Sequence, residues 1–207
     1  MKEITAITPQ IKDKKRCNIF IDGRFYCGLA LETTVKYRLK VGQIVQPEFL
    51  SQIQLESERN NALDKALTHI SATRKTEKEV RDFLKTKGFL PSVCDYVIEK
   101  MKEYNFLNDT DYAQAYVDAV GKKKGNRLIK MELRRKGVGD EEIRDALSSV
   151  AESVQVETAK AVLLKYMRGK QADKTTLQKA YKYLMGKGFE YEVAREALVA
   201  FGELDDM

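Results

Sequence analysis

Eight basic residues stand within fifteen positions: Lys122, Lys123, Lys124, Arg127, Lys130, Arg134, Arg135 and Lys136, with Glu132 the one acid among them. The stretch carries 8 − 1 = +7, against +6 for the whole chain of 207 residues. Cations at this density attract anions, either phosphate groups or the carboxylates of an acidic protein. Three chemistries compete. A catalytic phosphate loop needs GxxxxGK[ST] after a strand, and GKKKGN at 121–126 does not match it. A base-reading helix-turn-helix is suggested by the order helix, Lys-Gly, helix. That device occurs three times here, so repeat architecture explains it first. A backbone-type anion surface stays open, against a merely solvated face on a basic protein. Asp140, Glu141, Glu142 and Asp145 follow closely and could neutralise part of the charge. Arg74 and Lys75 form a second, weaker basic patch.

Little else could do chemistry. The lone histidine, His69, sits in ALTHISA on an expected helix, without a Ser–His–Asp order around it. The three cysteines, Cys17, Cys27 and Cys94, form no CxxC pair, so no zinc constellation is available. Asp109 and Asp111 stand at a helix start, where capping accounts for them. Most tyrosines fall at or beside helical apolar positions, as core residues do. The sequence therefore predicts a non-enzymatic protein with no cofactor and no metal.

The elements that must carry the basic stretch follow from pattern. At 43% hydrophobic and 33% charged, the chain can bury a core while keeping a highly charged surface. It contains no apolar run near the roughly 18 residues of a membrane span, and the first residues, MKEITAITPQIKDKK, lack a signal-peptide stretch. A cytoplasmic protein with no membrane partner is expected. Residues 1–50 read as a β segment: EITAI, RCNIFI and RFYCGLA, with Asp22-Gly23 as a two-residue hairpin turn. That register pairs Asn18 with Cys27 and Cys17 with Gly28. It sends the two thiols to opposite faces as free cysteines. ETTVKYRLKVG reads as a short helix ending at Gly42. From Pro47 the pattern is helical. Thr76 to Glu79 fits a capping box, Thr175 to Gln178 a second, and Asn108 or Asp109 caps a helix near Thr110. Pro91 suits a first turn.

Lys-Gly recurs at Lys87-Gly88, Lys136-Gly137 and Lys187-Gly188, with glycines 49 and 51 residues apart. A leucine precedes each glycine by four residues (Leu84, Leu133, Leu184), and Val80, Ile129 and Ala180 precede it by eight. Those two positions share one helical face. Ile98, Leu147 and Leu198 follow ten residues later. With the amphipathic stretches ALDKALTHI, DYAQAYVDAV and ETAKAVLLKYM, this makes three three-helix repeats, over 51–105, 106–150 and 151–207. The expected fold is mainly α, three tandem three-helix repeats stacked into a curved array after a small N-terminal β segment. Within 126–136, Ile129 and Leu133 face the core, and Arg127, Lys130 and Arg134 share the opposite face.

The residues ALTHISATRKTEKEVRDFLKTKGF, YNFLNDTDYAQAYV and GNRLIKMELRRKGVGDEEI resemble the RecX regulatory proteins. The family pattern falls on Arg74, Thr76 and Glu77; on Leu84, Lys87 and Gly88; on Leu107, Asn108, Asp109, Tyr112 and Ala113. It continues on Gly125, Ile129, Glu132, Leu133, Lys136 and Gly137. Asn108 stands where the family has an aspartate, and Asn126 where proline commonly follows the glycine; both are read as helix caps. The resemblance is specific over 60–150 and looser elsewhere. It implies a regulator that binds the RecA recombinase and its filament on single-stranded DNA. It further implies limits on filament growth, ATP hydrolysis and strand exchange. Lys122, Lys123, Lys124, Arg127, Lys130, Arg134 and Arg135, with Arg74 and Lys75, are the expected contacts with RecA or with DNA. A RecA-independent nucleic-acid-binding repeat protein is the rival. Nothing in the sequence demands more than a monomer.

Overall fold

The computed structural model describes residues 1–11 and 13–201. Two compact units are present. One comprises residues 1–74 and 80–106, and the other residues 75–79 with the described residues from Leu107 onward.

The first unit begins with a four-stranded antiparallel sheet of β1 (Lys2–Pro9), β2 (Arg16–Ile21), β3 (Arg24–Ala30) and β4 (Ile44–Val45), in spatial order β3-β2-β1-β4. The hairpin turn at Asp22-Gly23 forms as expected, with both residues at positive φ. The register beyond it differs from the expected one. Phe20 pairs with Phe25, but Ile19 pairs with Cys27 and Cys17 with Leu29, so Tyr26 is an extra residue in a β-bulge. One extra residue reverses the facing of all that follows. Cys17 and Cys27 therefore lie buried on the same inner face, as free thiols, rather than on opposite faces. Burial pushes the Cys27 thiol up to about 11. The same face carries Ile4, Ile19, Ile21 and Leu29, packed with Leu50 and Ile53.

The helix after β3, α1 (Leu31–Lys36), is shorter than expected. Arg38 takes a left-handed conformation two residues after it ends, and Gly42 turns the chain into β4 rather than capping the helix. Helix α2 (Pro47–Ser71) serves two bodies of structure along its length. Its first turns pack under the sheet, where the buried Ser57 hydroxyl accepts the Ala30 N–H at 2.9 Å. Its later turns bury Ala62 and Ala66 and pack on α4 (Pro91–Glu103). Pro91 occupies the first turn of α4 as expected. Helix α3 (Glu77–Thr86) completes the first three-helix repeat with Val80 and Leu84, both fully buried. His69 stacks on Phe83 with ring centroids 4.0 Å apart, a packed surface histidine.

The second unit holds two more three-helix repeats. Helices α5 (Asp109–Val120), α6 (Asn126–Arg135) and α7 (Asp140–Ser148) enclose Ala113, Val117, Ile129, Leu133 and Ile143. Helices α8 (Glu152–Met167), α9 (Lys174–Gly186) and α10 (Tyr191–Val199) enclose Leu163, Ala180, Leu184, Phe189 and Leu198. The leucines four residues before the repeat glycines, Leu84, Leu133 and Leu184, are all at 0% exposure. Asn108 caps α5 by accepting the Asp111 N–H at 3.0 Å. The second expected capping box does not form. Helix α9 starts two residues earlier, and Asp173 is its cap, accepting the Thr176 N–H at 2.7 Å.

Candidate functional site

The basic stretch occupies the turn after α5 and the whole of α6. At 100° per residue, Arg127, Lys130, Met131, Arg134 and Arg135 fall within an arc of about 140°. All five are exposed, while Ile129 and Leu133 on the opposite side are fully buried. Lys122 and Lys123 are exposed in the preceding turn. An amphipathic helix thus turns a cationic face outward because its two core residues fix its rotation.

The cations divide by what they touch. Lys124 donates to both Glu132 oxygens at 2.6 and 2.7 Å, and the Tyr116 hydroxyl donates to Glu132 at 2.7 Å. Burial pushes the Glu132 carboxyl up, but these two donors outweigh it and hold it below the usual carboxylate range. The Arg127 guanidinium donates to the Met185 carbonyl of α9 at 2.9 Å, so it joins the second repeat to the third. Lys136 Nζ binds Glu79 at 2.8 Å. Arg134 Nε meets Asp140 at 2.6 Å, an exposed pair that contributes little to stability. Among the described residues, Lys122, Lys123, Lys130 and Arg135 have no such partner. Arg74 is exposed and Lys75 half-buried in the segment leading to α3. Of the nine candidate residues, four on or beside α6 therefore make no hydrogen bond or ion pair, although the Arg135 charge acts on Glu132 and the Lys130 charge on Asp140. Lys124 and Arg127 also hold the fold.

What sequence reasoning missed is the chemistry of the Lys-Gly ends. Within the second unit, the start of α3 is locked to the end of α6. The Thr76 hydroxyl, fully buried, donates to the Lys136 carbonyl at 2.6 Å and accepts the Glu79 N–H at 3.2 Å. Glu79 returns the bond by accepting the Thr76 N–H at 3.1 Å, so the expected capping box forms. Burial pushes the Glu79 carboxyl up, yet Lys136 and the Thr76 N–H bring it net below its ordinary range. Asp109 accepts the Glu77 N–H at 2.9 Å. The start of α6 meets the end of α9 in a matching way. Gly125 N–H donates to the Lys187 carbonyl at 2.9 Å, and Asn126 N–H to Gln155 Oε1 at 3.1 Å. Thr76 and Gly125 are 49 residues apart, the same spacing as Gly88 and Gly137. Asn126 is therefore not a cap. Its backbone N–H makes a bond that a proline could not make.

Replacing Thr76 by Val should cost about 2–3 kcal/mol, because it removes a cap and orphans the Lys136 carbonyl. Thr76→Ser should recover most of that. Urea unfolding followed by circular dichroism measures both; equal losses in the two variants would remove the hydroxyl from the account.

Together these features define a class: a tandem three-helix-repeat binding protein that presents a cationic helix face. Among the described residues no group of acids, cysteines or histidine could hold a metal ion, and no helix is long and apolar enough to cross a membrane.

Models of the RecX family match the chain in four consecutive pieces. The N-terminal domain matches residues 2–46, and the first, second and third three-helix domains match 62–101, 108–147 and 153–198. The regulatory protein RecX of Clostridium perfringens strain 13 is 35% identical over 196 residues, covering 93% of this chain and 92% of that protein. The regulatory protein RecX of Bacillus subtilis strain 168 is 34% identical over 202 residues, covering 96% and 76%. Among solved structures, a crystal structure of regulatory protein RecX superposes with a TM-score of 0.69 at 28% identity, covering 93% of this chain and 97% of that one. RecX from Lactobacillus salivarius gives 0.65 at 26% identity, covering 70% and 96%. The chain belongs to the RecX family of regulatory proteins, which are not enzymes.

Proposed function

We propose that this RecX-family chain, whose family membership implies RecA as partner, restrains the RecA filament on single-stranded DNA through the cationic face of α6. The observation that carries this reading is a set of four exposed cations without a hydrogen bond or ion pair among the described residues: Lys130 and Arg135 on the face of α6 that the buried Ile129–Leu133 stripe turns outward, and Lys122 and Lys123 in the turn before it. The folded backbone positions these charges in advance, so they can meet a line of phosphates or an acidic protein surface with only side-chain ordering to offset. Binding that prefers one filament state, or that blocks addition of the next subunit, shifts the assembly equilibrium without any chemical step. Arg74 and Lys75 extend the same kind of contact from the segment before α3. The protein acts in the cytoplasm as a monomer, with DNA contacted as part of the filament.

The test is the steady-state ATPase rate of the cognate RecA on single-stranded DNA while this protein is titrated below one per RecA subunit. The expected outcome is a fall in rate at substoichiometric ratios. An unchanged rate, with binding to naked DNA intact, would favour the rival reading of a RecA-independent nucleic-acid-binding protein.

A further inference from the structure

The sheet of the first unit has an outer face that the α6 reading does not use. Opposite the buried isoleucines, cross-strand pairing aligns two rows. Ala6, Phe20 and Phe25 form one, and Thr8, Asn18 and Gly28 the other. Paired residues project to the same side of a sheet. Phe25 is 61% exposed, and its ring meets Phe20 edge-on with centroids 6.0 Å apart. Phe20 and Phe25 pair on the solvent side next to the turn, and the bulge at Tyr26 then turns Cys27 and Leu29 inward.

The next row along this face, Thr8, Asn18 and Gly28, is small or polar, while Ile21 and Tyr26 stand beside Phe25 at the hairpin end. Gln10 Nε2 donates to Asn18 Oδ1 at 2.9 Å, and the Arg16 guanidinium is held by the Gly28 carbonyl at 3.0 Å. Arg24 is exposed at the start of β3 beside Phe25, and Lys2 is exposed at the same end of the sheet, while Lys14 and Lys15 are exposed in the β1–β2 turn at its other end. An open concavity of about 480 Å³ at the hairpin end is lined by Lys2, Ile21, Asp22, Arg24, Phe25 and Tyr26. That volume lies within the roughly 300–1,000 Å³ usual for ligand clefts. Asp22, its one acid, already accepts the Glu3 N–H at 3.1 Å. Across residues 1–30 the sequence has six basic and three acidic residues, 6 − 3 = +3.

We propose that this outer sheet face binds single-stranded nucleic acid, with Phe25, supported by Phe20, as a base-stacking platform and Arg24, Lys14 and Lys15 as phosphate contacts. An exposed ring, amides along the face and cations at its two ends are what a single strand requires: a π-surface for an unstacked base and positive charge along its backbone. A duplex hides its base faces and offers nothing to the rings. A protein partner seated on Phe25 would meet Thr8, Asn18 and Gly28 in the next row rather than the apolar surround of an interface core.

The test uses the full chain without RecA, by anisotropy of a fluorescein-labelled single-stranded DNA oligomer at fixed salt. Stacking accounts for about a five- to hundredfold share of affinity per base. Phe25→Leu keeps the apolar bulk and removes the aromatic face, so it should weaken binding about tenfold with an unchanged salt slope. Arg24→Ala should reduce the salt slope by about 0.7. An oligomer carrying abasic sites should bind the unmutated protein as weakly as the normal oligomer binds Phe25→Leu, which keeps the test independent of folding. Equal affinity of the unmutated protein for abasic and normal strands would overturn the proposal. So would a Phe25→Leu variant that binds as the parent does.

Discussion

Gly188→Ala should lower the free energy of unfolding by about 3–5 kcal/mol, whereas Gly88→Ala should lower it by only about 1–2 kcal/mol. Both glycines hold the same left-handed conformation, at φ +85° and φ +84°. An L side chain at such a φ costs about 1–2 kcal/mol, and that part is common to both. The difference lies in the neighbours. A Cβ on Gly188 would run into the backbone N and the Cβ of Leu128 at the start of α6, which cannot turn aside like a flexible side-chain tip. Added to Gly88 it meets nothing within 4 Å. Forced overpacking adds about 1–3 kcal/mol. Gly188 also sits where Gly125 and Arg127 donate to the Lys187 and Gly188 carbonyls, so a shift there breaks two hydrogen bonds. Gly137→Ala belongs with Gly188→Ala in direction, because its Cβ would strike the Lys78 side chain. The nearest atom, the Lys78 Cβ, is fixed to the α3 backbone, so the loss should approach that of Gly188→Ala. Guanidinium unfolding of the three variants ranks them; equal losses at Gly88 and Gly188 would mean that the glycines serve helix termination alone.

This ranking separates what the sequence could disclose from what it could not. The period of Lys-Gly, and the leucine four residues before it, are local signals, and the helix pairs they imply form with Leu84, Leu133 and Leu184 fully buried. The capping box at Thr76 was legible for the same reason: its donors and acceptors lie three residues apart. The second use of Thr76 was not legible, because its hydroxyl reaches the carbonyl of Lys136, sixty residues away. Glu132 and Lys136 belong to the family pattern, yet only the fold shows Glu132 clamping Tyr116 and Lys124, and Lys136 paired with Glu79. Lys136 ties the end of α6 to the start of α3, whereas Glu132 works inside its own repeat.

The β segment shows the opposite limit. The Asp22-Gly23 turn was readable, but a single bulged residue reversed the expected facing of Cys27. A sheet has a side-chain period of two, so one extra residue moves a whole row from one face to the other. A bulge has no sequence signature of comparable strength to Asp-Gly. The expected helix end at Gly42 failed for a related reason. Arg38, a residue that seldom takes positive φ, turns the chain first.

The second large effect is on binding. Replacing Lys122, Lys123, Lys130 and Arg135 together by Glu should weaken inhibition of RecA ATPase by about 30- to 1,000-fold in half-maximal concentration, while helicity and unfolding midpoint stay near those of the parent. The estimate follows from about 0.5–1 kcal/mol for each surface charge contact, taken over four contacts, at about 1.4 kcal/mol per tenfold. Stability should change little, because none of the four makes a hydrogen bond or ion pair inside the chain among the described residues, and only the charge effects of Arg135 on Glu132 and of Lys130 on Asp140 are lost. The contrasting variant is Lys124→Met with Arg127→Met. These cations bind Glu132 and the Met185 carbonyl, so their loss should appear first as a lower unfolding midpoint. Salt dependence separates the two partners that the cationic face could meet. If the four charges lie along phosphates of the single strand, the reversal should remove about 2.8 from the slope of log affinity against log salt, at about 0.7 for each contact. If they meet carboxylates on RecA, binding to naked single-stranded DNA should be untouched while inhibition is lost. A reversed protein that still inhibits at parental concentration, with parental helicity, would remove α6 from the interaction and leave Arg74 and Lys75 as the candidates to mutate next.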